Sequence, residues 1–148
     1  MNSPKHVRQE RRDAGGPYAS PAQSASVLKA GLQYRRERIE ASDMIATDEA
    51  AQLLGTTRVT INAMLEAGRC IGVSNLRRDF KLPRWQFEPE IWPVLQLLAK
   101  NLDTTDGWQL LSFLESPSAG LDGKTPRAAL EQGVSVKRIL ALATAWAH

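Results

Sequence analysis

The run "TDEAAQLLGTTRVTINAMLEAG", residues 47–68, constrains this chain more than any other stretch, because it holds two short helical patterns separated by one glycine. Thr47 reads as an N-cap, and Asp48 and Glu49 follow in the first turn, where carboxylates suit the helix dipole. Ala50, Ala51, Leu53 and Leu54 supply an apolar face, and Ala51 is small enough to let a second helix approach closely. Gly55 permits the left-handed conformation that turns the chain sharply out of one helix and into the next. Thr56 or Thr57 then caps the second helix. Its packing side is expected at Val59, Ile61, Met64 and Leu65, with Arg58, Thr60 and Asn62 facing outward and Gly68 at its end. Two short helices joined in this way make a helix-turn-helix, whose second helix has the size to enter a DNA major groove.

The next segment, "CIGVSNLRRDFKLPRWQF", predicts a β-hairpin with strands around Cys70–Val73 and Trp85–Phe87, Pro83 at an edge position, and Trp85 and Phe87 alternating onto one face. From Arg58 to Arg84 six basic side chains stand against Glu66 and Asp79, a local +4 in a chain whose total is +3. Helix pair and hairpin together resemble the winged helix-turn-helix of excisionase and MerR-like proteins. On this reading Arg58, Thr60 and Asn62 contact base edges, Asn62 suiting adenine and Arg58 suiting guanine or phosphate. Thr57, Arg77, Arg78, Lys81 and Arg84 hold the backbone. The expected partner is double-stranded DNA at the chain's own promoter. A homodimer is expected as well, since such readers bind paired half-sites.

Around this unit the composition changes. Residues 1–26 are rich in Pro, Gly, Ser and charge, and read as a disordered basic arm in which Arg8, Arg11 and Arg12 cluster. Residues 27–45, "VLKAGLQYRRERIEASDMI", predict a loosely amphipathic N-terminal helix, and residues 46–88 the winged helix-turn-helix. Residues 89–148 predict a separate small all-helical domain. Pro89 suits a helix start, with Ile91, Leu95, Leu98 and Leu102 at helical spacing. Trp108, Leu111 and Leu114 form a second helix face ended by Pro117, and Thr125-Pro126 is a cap and first-turn signal for a third, which Gly133 stops. Val136, Ile139, Leu140, Ala143 and Trp146 define the last helix. The fold class is thus expected to be mainly α, a winged helix-turn-helix with a small β-hairpin followed by an all-helical C-terminal domain.

The residues "LPRWQF" and then "W…FLESPSAGLDGKTPRAALEQG" resemble the toxin-binding domain of Xre/MbcA/ParS-type antitoxins. The match falls on Leu82, Pro83, Gln86, Phe87, Trp108, Leu121, Gly123, Pro126, Leu130 and Gly133, and covers roughly residues 80–148. The resemblance implies a type II antitoxin that represses its own operon and binds a cognate toxin, commonly of the NAD-consuming RES class. Partner contacts are then expected at Trp108, Leu121, Lys124, Arg127 and Trp146. The DNA-binding part departs from that family, whose members usually carry a multi-helix phage-repressor-like domain. Two other readings stand beside this one: a stand-alone phage- or plasmid-type regulator whose C-terminal domain oligomerises, and a pure interaction protein.

Other classes fit poorly. Catalysis needs a nucleophile with a base, paired carboxylates or a metal cluster. The two histidines, His6 and His148, lie in the arm and at the last position, and the single cysteine, Cys70, reads as a core residue. Asp103 and Asp106 flank a turn and read as helix caps. No enzyme activity, cofactor or metal is expected. The absence of a disulfide framework, and of any apolar run near the roughly 18 residues of a membrane span, predicts a cytoplasmic location with no membrane partner.

Overall fold

The computed structural model describes residues 20–75 and 79–147. Of the disordered arm expected at residues 1–26, residues 1–19 lie outside the described residues, as do the predicted backbone contacts Arg77 and Arg78, whereas residues 21–26 are helical and correct that part of the expectation. The molecule is mainly helical, with one small two-stranded antiparallel sheet. It divides into two compact units, Met1–Ala41 and Ser42–His148.

The first unit contributes helix α1, Pro21–Ile39, which begins six residues before the expected start and ends six before the expected end. The physical reason is a capping box. The Ser20 hydroxyl accepts from the Gln23 N–H at 3.1 Å, and the Gln23 side chain accepts from the Ser20 N–H at 2.9 Å, with Pro21 preset for the first turn. No residue of α1 is buried. Leu28, Leu32 and Tyr34 are exposed along it, and Gln33 bonds Glu37 one turn on at 3.0 Å.

The second unit opens with strand β1, Met44–Ala46, a segment whose three residues carry too short an alternation to be read from sequence. Helix α2, Thr47–Leu54, follows. Its cap position is Ala46, without a side-chain bond, so the expected N-cap Thr47 is instead the first helical residue. The Thr47 hydroxyl is buried and donates to the Phe80 carbonyl at 3.4 Å. Gly55 takes the left-handed conformation (φ 66°), and Thr56 N–H closes the turn on the Ala51 carbonyl at 2.9 Å. Helix α3, Arg58–Glu66, is capped by Thr57, whose hydroxyl accepts from Thr60 N–H at 3.2 Å.

The expected strand pair is corrected. Strand β2 is Lys81–Pro83, and its partner is β1, in the register Met44 opposite Pro83, Ile45 opposite Leu82 and Ala46 opposite Lys81. Of the segment Cys70–Val73 only Val73 joins in, exchanging both backbone hydrogen bonds with Lys81 at 2.9 Å. Arg84–Phe87 is a 3₁₀ turn and not a strand, so Trp85 and Phe87 do not alternate across a sheet. Pro83 ends the ladder, and the Gln86 side chain, described below, does the bonding that a further strand would do.

Ile45, Ala50, Ala51, Ile61, Leu65, Cys70 and Leu82 form the core beneath the helix pair, with Met64, Phe80, Phe87 and Trp92 packed against it. Two expected core positions are not in it. Val59 is 77% exposed and Leu53 45%. Ile61 and Leu65 fix which side of α3 points inward, and Val59 falls on the opposite side of the wheel.

Residues 46–88 and 89–148, expected as separate domains, belong to this one unit. Pro89 does not start a helix. The chain turns through residues 88–91, makes a 3₁₀ turn at Trp92–Val94 and enters helix α4, Leu95–Leu102. Helix α5, Gly107–Glu115, is capped by Asp106, and helix α6, Pro126–Glu131, by Thr125. Helix α7, Val136–Ala147, packs on α4, where the Asn101 amide donates to the Leu140 carbonyl at 3.3 Å and the Thr144 hydroxyl at 3.0 Å. Among the described residues no helix is long and apolar enough to cross a membrane.

Candidate nucleic-acid interface

The outward side of α3 is set by its inward side. Ile61 and Leu65 are buried and Met64 is half-buried, which leaves Val59, Asn62, Ala63 and Glu66 facing out, flanked by Arg58 and Thr60. Asn62 is exposed, as predicted, and among the described residues its amide makes no hydrogen bond. Thr57 and Thr60 are exposed but committed to each other. Besides capping α3, the Thr57 hydroxyl donates to the Thr60 hydroxyl at 3.2 Å.

Arg58 does not project freely. Its guanidinium forks over Asp48 in the first turn of α2, with Nε to Oδ1 at 3.0 Å and a second nitrogen to Oδ2 at 3.2 Å. This pair latches the start of α3 to the start of α2. Arg84 is similarly held by Glu49 at 3.2 Å. Both pairs are solvent-exposed, and such pairs contribute about 0–1 kcal/mol, so a phosphate can displace either carboxylate at small cost. Lys81 is half-buried, its backbone shared between Val73 and Ala46.

The five residues expected to contact a protein partner have separate neighbourhoods. Trp108 is half-buried and its indole N–H donates to the Ser74 carbonyl at 3.3 Å, which ties α5 to the segment leaving Val73. Leu121 is 4% exposed and is the last residue of the 3₁₀ turn Ala119–Leu121, which gives way to left-handed Asp122; this corrects its reading as a contact residue, since its side chain is spent on the core. Lys124 is exposed. Arg127 lies over the Trp85 ring, 4.3 Å from its centre, and bonds Glu131 at 3.2 Å, so it holds α6 to the 3₁₀ turn at residues 84–87. Trp146 is 52% exposed, edge-on to Phe113 with ring centres 5.5 Å apart. It lines a shallow surface cleft with Leu102, Thr104, Gln109 and Ser112.

Sequence reasoning named Gln86 only as a motif position, whereas the structure makes it the polar centre of the unit. It is fully buried. Its carbonyl accepts from Ile71 N–H at 2.7 Å, and its amide donates to the Ile71 carbonyl at 2.8 Å and the Pro83 carbonyl at 3.0 Å. One side chain thus satisfies both backbone groups of Ile71, which has no strand partner. Its sequence signal was a glutamine between two aromatic residues just after a proline that ends a ladder.

Cys70 is buried in the core, as read from the sequence, and burial pushes its thiol from about 9 up to about 12, with Arg69 opposing weakly. The folded value lies above the unfolded one, so folding favours the protonated thiol. Its contribution is therefore complete below pH 9 and lost as pH rises towards 12, with a slope of up to about 1.4 kcal/mol per pH unit. The thiol is expected to resist alkylation at neutral pH until denaturant unfolds the chain, and Cys70→Ala to flatten the alkaline fall in urea midpoint. Rapid alkylation of the native protein would contradict this placement. Among the described residues no group of three or more His, Cys, Asp or Glu is arranged to hold a metal ion.

No family model matches the chain, and comparison with curated proteins and with solved structures gives no match.

Proposed function

We propose that this chain is a DNA-binding regulator of the antitoxin type, in which α3 docks in the major groove and the helical remainder carries a partner protein, a toxin of the RES class. The observation that carries the DNA-binding part is the α2–Gly55–α3 pair. Its second helix is packed on one side only and presents an unpartnered amide, Asn62, on the other. The bridge between Val73 and Lys81 is consistent with a wing, and Arg77 and Arg78 lie between these two residues in the sequence. These arginines, with Arg58 and Arg84 released from their carboxylates, supply the phosphate contacts.

The test is fluorescence anisotropy on the chain's own promoter and on a scrambled duplex across a salt series. Replacing Arg77 and Arg78 together by Ala is expected to weaken both duplexes alike and to flatten the salt dependence by about two units of slope. Unchanged binding would remove these two arginines from the interface. Replacing Asn62 by Ala should instead lower the preference for the promoter.

The reading as a stand-alone regulator is favoured by one observation. Leu121, Pro126 and Leu130, three positions of the antitoxin resemblance, are buried and serve packing. Affinity purification from the host after nuclease treatment separates the two. A stoichiometric small protein encoded next to this chain supports the antitoxin reading, and recovery of this chain alone supports the stand-alone regulator.

A further inference from the structure

Val59 is the most exposed large apolar side chain among the described residues, at 77%, and it sits in the first turn of α3. A valine there has no packing return. β-Branched residues lose rotamer freedom in helices and cost roughly 0.5 kcal/mol relative to alanine. Ala63 stands one turn further along the same side, and Asn62 lies beside both. The outward side is therefore an apolar pair with one amide at its flank, and Glu66 marks its C-terminal limit, since a carboxylate there repels phosphate.

We infer that this side of α3 reads thymine–adenine steps, with Val59 and Ala63 against thymine 5-methyl groups and the Asn62 amide paired to the N6 and N7 edge of an adenine. The inference rests on the DNA-binding reading above and adds the base class that is read. The chemistry favours this occupant over a bare apolar partner. Thymine is the only base with a methyl group in the major groove, and adenine offers the donor and acceptor that one carboxamide satisfies together. Side chains one helical turn apart stand about 5–6 Å from each other, which spans one to two base steps of about 3.4 Å. Arg58 beside Val59 and Arg69 just beyond α3 are exposed, and the sequence from Arg58 to Arg84 carries six basic against two acidic side chains, the balance a polyanion requires. The face therefore contains a contact that sequence reading assigned to the core, and it shifts base reading from Arg58, held by Asp48, to Val59 and Ala63.

The experiment is selection of bound duplexes from a random pool by the full chain, followed by replacement of each enriched thymine with uracil, which removes only the methyl group. The expected result is a site containing thymine next to adenine. One or two uracil replacements should weaken binding about three- to fivefold, the effect of one buried methyl group. Val59→Ala should abolish the uracil penalty at one of these positions while leaving the thermal midpoint within a few degrees, as Val59 is 77% exposed. Asn62→Ala should lose the preference for adenine at the neighbouring position by about tenfold. Equal affinity for thymine and uracil throughout the enriched site would overturn the inference and leave DNA binding standing. Salt-dependent binding with no enriched site would do the same. Absence of any duplex binding would overturn this inference and the proposed function together. A changed monomer–dimer equilibrium in Val59→Ala with unaltered DNA affinity would make the face a protein contact, and would also overturn it.

Discussion

Replacing Gly107 by alanine is expected to destabilise the unit Ser42–His148 by about 3–5 kcal/mol and to lower its thermal midpoint by more than about 12 °C. Gly107 is the first residue of α5, and its backbone runs against that of Gly72. A Cβ added at Gly107 would lie 1.8 Å from the Gly72 carbonyl oxygen and 2.8 Å from its carbonyl carbon. Those atoms are backbone, so no rotamer change relieves the contact, and either α5 or the segment from Cys70 to Val73 must move. In an ordinary helix the same change stabilises by up to about 1 kcal/mol, so the sign itself is diagnostic. The consequence reaches the candidate interface. Displacing Gly72 strains the neighbouring bridge from Val73 to Lys81. Thermal denaturation followed by circular dichroism gives the answer, and a midpoint within a degree or two of the parent would refute the close approach.

The second large effect is expected at Gln86. Exchange for leucine keeps roughly the volume but removes the acceptor for Ile71 N–H and the donors to the Ile71 and Pro83 carbonyls, all in a fully buried site. Each buried group left unpaired costs about 1–3 kcal/mol, so the three groups place Gln86→Leu at about 3 kcal/mol or more in urea denaturation. Gln86→Glu discriminates hydrogen bonding from packing. The carboxyl group retains an acceptor, but when ionised it faces two carbonyls, so its loss of stability is expected to be smaller at pH 4 than at pH 7. Equal midpoints for Gln86→Leu and the parent would show that Ile71 finds other partners.

Two local signals in the sequence were followed closely by the chain. Gly55 appears where a left-handed residue ends α2, and Thr57 and Thr125 appear as hydroxyl caps of α3 and α6. These features act within four residues, so their physics is complete in the local sequence. The capping box at Ser20 is equally local and was legible, but it was masked by a Pro- and Ser-rich surround that reads as a tail. The hairpin was only partly legible. Trp85 and Phe87 alternate like strand residues, yet Pro83 ends the ladder and Gln86 turns inward, so the chain coils into a 3₁₀ turn with Trp85 buried beneath Arg127.

The candidate interface divides in the same way. Asn62 faces outward as its position implies, whereas Arg58 is drawn back onto Asp48, ten residues earlier, by a bond visible only once both helices are in place. Val59 looks like a core residue by type, and only the placement of Ile61 and Leu65 against Cys70 and Leu82 puts it outside.

The sequence by itself therefore determined where most helices begin and end and that two of them meet at Gly55, because caps, prolines and left-handed glycines exert their effects over one turn of backbone. The tertiary structure alone decided which strand β2 joins, why Gly107 must lack a side chain, what Gln86 satisfies and which side of α3 is left open. Each of these depends on atoms brought within a few ångströms from distant parts of the chain, and spacing along a sequence does not encode that approach.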